Sequence, residues 1–134
     1  MPDDEDLIEE AKKLIVSRYK ENRHHIAAAV RGGSGAIYTG LHLDTYVGRA
    51  SVCAEAVALG AALSAGEKFI QTIVSVRHPR PREEVKEIKV VSPCGICREM
   101  LADFAPEAKI LISQNGHVVA SSTSALLPEK YRRP

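Results

Sequence analysis

The beginning of the chain carries a helical pattern of apolar positions. Between residues 6 and 20, apolar residues recur at steps of three and four. This spacing places Leu7, Ala11 and Ile15 on one face. Acidic residues come first and basic residues last, as the helix dipole favours. The segment is therefore predicted to be an amphipathic helix that packs on the rest of the protein.

Six further segments have the composition of β-strands. They are short, rich in apolar or β-branched residues, and bounded by turn residues. They span residues 26–30, 36–43, 69–76, 88–91, 109–113 and 117–120. The glycine-rich segment 31–35 and the Gln-Asn-Gly segment 114–116 predict that the first and last pairs each form an antiparallel hairpin.

Two more helices are predicted between these strands. Residues 52–65 are rich in alanine and leucine, so this helix is expected to be covered on most sides. Residues 93–104 form the third helix, and a short helix or arm is expected from Ala125 onward. The order of the elements predicts one α/β domain over residues 1–134, with helices packed on a mixed sheet.

The composition excludes several classes of protein. The 134 residues are 45% hydrophobic and 26% charged, which is unlike a disordered chain, a collagen or a coiled coil. A net charge of +1 and 4% aromatic residues argue against nucleic-acid binding. The clustered arginines are instead expected in solvated segments: Arg77, Arg80, Arg82, Arg132 and Arg133. With no signal-peptide pattern and no membrane-spanning apolar stretch, a cytoplasmic protein is expected.

The three cysteines, Cys53, Cys94 and Cys97, are the first candidate chemistry. They cannot all pair within one chain, so reduced thiols are expected rather than a disulfide framework. Cys94 and Cys97 are three residues apart, which puts both sulfurs on one helix face within reach of one zinc ion. Cys53 and Cys94 each open a predicted helix, where the helix dipole stabilises thiolates.

Glu55 follows Cys53 by two residues, and Cys53-Ala54-Glu55 with Pro93-Cys94-Gly95-Ile96-Cys97 resembles the signature of zinc deaminases. The resemblance implies that Glu55 lies beside the metal without binding it. Three protein ligands leave the fourth tetrahedral position open, which is typical of catalytic zinc. Zinc lowers the pKa of a bound water, and a nearby carboxylate can move the released proton to a substrate. Arg98 directly follows Cys97 and is expected to donate to a sulfur. A structural zinc would need a fourth ligand, for which the candidates are His24, His25, His42, His78 and His117.

Several motifs together resemble the cytidine deaminase family in its small three-cysteine form. They are Thr39-Gly40, Cys53-Ala54-Glu55, Ser92-Pro93-Cys94-Gly95-Ile96-Cys97-Arg98 and Leu126-Leu127-Pro128. The resemblance implies a three-layer fold with a five-stranded mixed sheet flanked by helices, a homotetramer, and one Zn2+ per chain. It also implies pyrimidine salvage chemistry, in which a zinc-generated hydroxide attacks C4 of a cytosine nucleoside while Glu55 moves the protons. Ser92 and Arg98 are expected directly behind the metal ligands.

The predicted substrate pocket departs from the family pattern. Nucleoside-specific members carry Asn-x-Glu before the zinc helix to hold the ribose hydroxyls, and His42-Leu43-Asp44 occupies that position here. Because His42 and Asp44 lie two apart, they share one strand face and are both assigned to substrate binding. The resemblance also assigns Ala54 to the pocket, together with His24, which stands where the family usually has Phe.

Two features are similar to the blasticidin S deaminases. Ala56 replaces the Arg that often follows the glutamate, and the chain ends in Leu126-Leu127-Pro128-Glu129-Lys130-Tyr131. In family tetramers this arm can reach a neighbouring active site, so Tyr131 is a candidate cover for the substrate, with a frayed tail as the alternative. Four functions stay open: deamination of cytidine or deoxycytidine, the same chemistry on blasticidin S or a modified base, a non-catalytic zinc-stabilised binding module, and editing of RNA or single-stranded DNA.

Overall fold

The structure is a computed structural model that describes residues 2–134. In chain order the elements are α1 (Pro2–Arg18), β1 (Ile26–Gly32), β2 (Ile37–Leu41), a 3-10 turn (Gly48–Ala50), α2 (Ala54–Ser64), β3 (Ile70–Arg77), β4 (Lys89–Val91), α3 (Gly95–Phe104), β5 (Lys109–Gln114), β6 (His117–Ser121) and α4 (Thr123–Leu126). The predicted order of helices and strands is confirmed, with boundaries that differ by a few residues.

The strands form one mixed sheet in the order β2-β1-β3-β5-β6. Each neighbouring pair is antiparallel except β3 and β5, which are parallel. β4 pairs with β3 over residues 75–77, and β5 pairs with β3 at Thr72 and Ile73. Because β1 occupies the other edge of β3, β4 and β5 share one edge. The sheet thus has six strands in five positions, which confirms the expected α/β class and adds one short strand to the implied five.

One helix covers one face of the sheet, and two helices cover the other. Leu7, Ala11 and Ile15 of α1 are fully buried against Ala27 and Val74 of the sheet. Burial of a side chain as large as leucine or isoleucine stabilises the fold by roughly 1.5–3 kcal/mol. Among residues 2–134, no helix combines the length and apolar character needed to span a membrane.

The opposite face of the sheet carries α2 and α3, whose beginnings form the candidate site. α2 lies close to β2 because Gly40 has no side chain: a Cβ there would meet the Ala58 nitrogen at 2.6 Å. The expectation that α2 is covered on most sides is wrong for the single chain. Only the face toward the sheet is buried, and Gly60 and Ala61 are exposed.

Candidate metal centre

The beginnings of α2 and α3 bring the three cysteines together. Cys53 is the residue that caps α2, Cys94 caps α3, and Cys97 lies in the first turn of α3. The Sγ atom of Cys94 is 3.5 Å from that of Cys53 and 3.6 Å from that of Cys97. All three sulfurs lie within 4.8 Å of one another. The N-termini of α2 and α3 therefore direct their cysteine sulfurs toward one common position.

This cluster has the dimensions of a zinc site. A tetrahedral ion with zinc–sulfur bonds of about 2.3 Å separates its sulfurs by about 3.8 Å, close to the observed distances. A disulfide would need about 2.05 Å, and all three cysteines are free. Among residues 2–134, no histidine or carboxylate joins the cluster. The residues fit one Zn2+ with three protein ligands and one open position.

The surroundings of the three thiols shift their pKa values in different directions. Burial opposes ionisation of Cys94, but the backbone N–H groups of Cys97 and Ile96 and the neighbouring thiols interact with its sulfur, and the net effect lowers its pKa. Burial raises the pKa of Cys53 and of Cys97. Cys94 therefore ionises first, and a bound cation is needed to hold all three as thiolates.

Glu55 lies on the first turn of α2 and is only 7% exposed. Burial raises the pKa of Cys97, and the negative charge of the neighbouring Glu55 carboxylate raises it further. A buried carboxylate requires a compensating charge or proton. A divalent cation held by the cysteines would supply that charge while leaving Glu55 outside the ligand set. Ala54, directly before Glu55, is fully buried.

The segment that carries His42 and Asp44 is paired with the residues before α2. Leu43 and Val52 form an isolated antiparallel bridge. In this register His42 lies opposite Cys53, and residues directly opposite one another share a face. β2 ends at Leu41 rather than at residue 43. The predicted substrate-binding residues nevertheless lie beside the metal centre, because the bridge continues the extended backbone.

His24 and His42 are in direct contact beside this segment. His24 Nδ1 lies 2.9 Å from the backbone oxygen of His42 and, since that oxygen only accepts, donates to it. The Nδ1 atom of His42 is buried and has no hydrogen-bond partner among residues 2–134. A buried polar atom without a partner is costly, so hydrogen bonding of this nitrogen within residues 2–134 is incomplete. The structure therefore brings His24, His42 and Asp44 together.

Sequence reasoning missed the residues that hold the loop before Cys53. The Oγ atom of Ser51 accepts a hydrogen bond from Thr45 N at 3.1 Å. Arg23 donates to the backbone oxygen of Asp44 at 3.3 Å, and its guanidinium carbon lies 4.3 Å from the centre of the Tyr46 ring. Arg23 and Asp44 are far apart in sequence, so no local pattern indicated the contact.

Arg98 does not occupy the predicted position. Its guanidinium donates to the backbone oxygens of Pro93 at 2.9 Å and Leu126 at 3.0 Å, and among residues 2–134 it makes no hydrogen bond to a sulfur. Helical side chains point back toward the helix N-terminus, which carries the guanidinium to the carbonyl before the helix. Ser92 is exposed directly before Pro93.

Tyr131 is not brought to the cysteine cluster within one chain. It is 78% exposed and lies with Asp103 and Phe104 near the far end of α3. Lys130 anchors the preceding backbone, with its Nζ 2.7 Å from Asp103 and 3.1 Å from Glu99. Contact between Tyr131 and a neighbouring subunit's pocket stays a prediction.

Two of the arginines in the proline-rich segment are paired within the protein. Arg77 forms an ion pair with Glu83 at 2.6 Å, and Arg82 lies 3.5 Å from Glu21. The partners of these guanidinium groups are therefore carboxylates of the same chain.

Known proteins share this arrangement over nearly the whole chain. Residues 1–113 match the family model described as the cytidine and deoxycytidylate deaminase zinc-binding region. The chain is 46% identical to a blasticidin-S deaminase of Bacillus cereus over 130 residues, covering 97% of this chain and 93% of that protein. It is 27% identical to a cytidine deaminase of Sporosarcina psychrophila, covering 98% and 93% of the two proteins. The crystal structure of the cytidine deaminase from Bacillus anthracis matches with a TM-score of 0.79 at 30% identity, over 95% of this chain and 88% of that one.

These similarities and the cysteine cluster lead to one assignment. The family match includes both helix starts that carry the cysteines, and the sulfur geometry fits the zinc that the family description names. The chain belongs to the cytidine and deoxycytidylate deaminase family and is a zinc-dependent deaminase.

Proposed function

We propose that this enzyme hydrolytically deaminates a cytosine nucleoside, with Glu55 as its general acid–base. The observation that carries the proposal is the buried Glu55 carboxylate beside three cysteine sulfurs that fit a zinc with one open position. A closed structural zinc site would need a fourth protein ligand. None is present among residues 2–134, which weighs against a non-catalytic binding module.

In this proposal Cys53, Cys94 and Cys97 hold the zinc ion. When bound, zinc would lower the pKa of a water and supply a hydroxide nucleophile near neutral pH. Glu55 takes the proton from that water and delivers it to ring N3 as C4 becomes tetrahedral. It then takes the proton of the new C4 hydroxyl and passes it to the departing amine. One water is consumed, the C4–N bond breaks, a C4=O bond forms and ammonia leaves.

The first candidate substrate is blasticidin S. The supporting observations are the 46% identity to a protein named for that substrate, and a pocket whose His42, Asp44 and Ala56 depart from the usual nucleoside pattern. The second candidate is cytidine or deoxycytidine, since an Asp44 carboxylate can accept a hydrogen bond from a sugar hydroxyl. The Bacillus anthracis enzyme, named a cytidine deaminase, supports this second candidate.

A substrate panel separates these candidates. Zinc-loaded protein is incubated with blasticidin S, cytidine, deoxycytidine and cytosine, and ammonia release is followed. Turnover of blasticidin S with a kcat/KM at least tenfold above that for cytidine is expected. A preference for cytidine would favour the second candidate and pyrimidine salvage, and no ammonia from any of the four would overturn the proposal.

We also propose that the chain assembles with copies of itself. Large apolar side chains are exposed around the cysteine cluster and in the loop before it: Tyr46, Val47, Val52 and Ile96. Exposed apolar surface of this kind often marks an interaction site. Light scattering after size-exclusion chromatography should give four times the chain mass of 14.5 kDa. A mass of 14.5 kDa would contradict self-association.

The proposed site of action is the cytoplasm. The three thiols must stay reduced to bind a metal, and the cytosol keeps thiols reduced. Fractionation of the native host followed by detection of the chain tests this. Recovery with soluble cytosolic enzymes is expected, and recovery outside the cell would contradict it.

A further inference from the structure

Arg98 connects three parts of the chain that meet at the start of α3. Its Nε donates to the Pro93 oxygen at 2.9 Å, and its Nη1 donates to the Leu126 oxygen at 3.0 Å. Pro93 directly precedes the ligand Cys94, while Leu126 is the last residue of α4. One planar guanidinium thus holds both the turn into α3 and the end of the C-terminal helix.

The Pro93 carbonyl fixes the peptide plane that leads into Cys94. Cys94 is itself exposed, so burial among other side chains does little to set its position. Its Sγ must nevertheless stay 3.5–3.6 Å from two other sulfurs to complete the cluster. Rotation of the plane between Pro93 and Cys94 would swing this sulfur away, and the Arg98 hydrogen bond opposes that rotation.

The Nη1 atom of Arg98 donates to α4, and α4 is itself held in place by further hydrogen bonds. α4 is capped by Ser122, whose Oγ accepts from Ala125 N at 3.1 Å. The buried Thr123 donates from Oγ1 to the Pro106 oxygen at 3.1 Å, just beyond α3. A cation at the carbonyl end of a helix is favoured electrostatically. α4 is therefore a fixed support for Arg98 rather than a loose tail.

We propose that Arg98 is a positioning residue for the metal centre, and that it holds Cys94 in place by bridging the Pro93 and Leu126 carbonyls. The rigid, planar guanidinium can donate to two carbonyls in fixed directions, and a lysine offers only a point charge on a flexible stem. The inference rests on the zinc centre of the proposed function but on none of its claims about substrate. Failure of either can therefore be recognised separately.

Metal affinity is the readout, measured by Co2+ titration and by competition for Zn2+ with a chromogenic chelator. Loss of a residue that orients a metal ligand typically weakens metal binding by about 10- to 100-fold. Arg98→Ala should show this loss, and Arg98→Lys should recover part of it. The thiolate-to-cobalt absorption of Arg98→Ala should also be weaker at equal metal occupancy, because Cys94 is no longer held.

Two control variants separate positioning from general stability. Lys130→Met removes the ion pairs of the C-terminal arm with Glu99 and Asp103 of α3 but leaves Arg98 intact, and it should bind metal within about twofold of wild type. Glu67→Gln weakens the hydrogen bonds to Ser34 and Tyr38 in a separate part of the fold. It provides a destabilised variant with an unchanged metal centre.

The outcomes decide the proposal. Weak metal binding in Arg98→Ala, partial recovery in Arg98→Lys and near-normal binding in both controls would support it. Affinity of Arg98→Ala within twofold of wild type would overturn it. Equal weakening in Glu67→Gln at a matched unfolding temperature would also overturn it. If Arg98→Ala does not fold, the metal affinity of Arg98→Lys is compared with that of wild type instead. An affinity of Arg98→Lys within twofold of wild type would then overturn the proposal.

Discussion

Leu43 and Val52 exchange both of their backbone hydrogen bonds, at 2.9 Å from Leu43 N to Val52 O and 3.0 Å in the reverse direction. This bridge joins the segment of His42 and Asp44 to the residue directly before Cys53. The side chains proposed to bind the substrate and the first metal ligand therefore lie on one rigid piece of backbone. A shift of the backbone at Cys53 would therefore also move His42 and Asp44.

Replacing His42 should weaken substrate binding without loss of metal. The proposed role of its imidazole is a hydrogen bond to the nucleoside, because His42 lies opposite the metal ligand Cys53. The loss of one such bond is worth about 1–1.5 kcal/mol, or about five- to tenfold in kcat/KM. His42→Ala should show this decrease mainly as a higher KM, measured by steady-state ammonia release with the best substrate of the panel.

The matched control is His117→Ala, because His117 is exposed at the start of β6. It should leave kcat and KM unchanged. Unaltered kinetics in His42→Ala, or a loss of zinc from that variant, would contradict the assignment of His42 to the substrate pocket.

A methyl group at Gly40 should disturb the metal centre by pushing α2 away from β2. The added Cβ would lie 2.6 Å from the Ala58 nitrogen and 2.8 Å from the Val57 side chain, so α2 would have to move away from β2. Overpacking of this kind destabilises by about 1–3 kcal/mol. Gly40→Ala should lower the free energy of unfolding by that amount and reduce activity as Cys53 shifts, as measured by urea unfolding and ammonia release.

Gly60→Ala makes the same chemical change on α2 with the opposite expected sign. A Cβ there meets nothing, and alanine is the better helix former by about 1 kcal/mol. Gly60→Ala should keep or raise the free energy of unfolding. Equal stabilities of the two variants would show that α2 does not rest on β2 as described.

The ion pair between Arg77 and Glu83 should make part of the free energy of unfolding depend on pH. Arg77 beside it, helped by the Arg80 backbone N–H, lowers the pKa of Glu83 to about 2 from its ordinary 4.5. Because the folded pKa lies below the unfolded one, this contribution is complete above pH 4.5 and is lost as the pH falls toward 2. The stability difference between wild type and Glu83→Gln should shrink across that window in urea unfolding.

Glu84→Gln is the control, since Glu84 is exposed next to the ion pair. Its stability difference from wild type should not follow the same curve. A difference for Glu83→Gln that stays constant from pH 6 to pH 2 would rule out the ion pair as its source.

The regular elements could be predicted from the sequence because their physics is local. Steps of three and four in α1 and the turn residues Asn115 and Gly116, both with positive φ, act within a few positions. The cluster of Cys53, Cys94 and Cys97 was predictable for a different reason, because the short motifs that carry these residues resemble the zinc-deaminase signature. These features need no knowledge of distant contacts.

Other features depend on contacts between distant segments and could not be predicted in this way. Arg98 was placed on a sulfur because it follows Cys97, but its second partner, Leu126, is 28 residues away. The sequence pattern predicts that α2 begins at Val52. In the structure the backbone of Val52 is hydrogen-bonded to that of Leu43, and the helix begins at Ala54. The exposure of Gly60 likewise depends on which elements pack against α2, and this cannot be predicted from the amino-acid composition of the helix.

The most direct test of the account compares wild type with Glu55→Gln. Both proteins should contain about one zinc per chain, since Glu55 lies outside the cluster of ligand atoms. Removal of the general acid–base should lower kcat by about 100- to 10,000-fold while the zinc content and the unfolding temperature stay near those of wild type. Ammonia release by Glu55→Gln at the wild-type rate, with full zinc, would contradict the proposed catalytic role of Glu55.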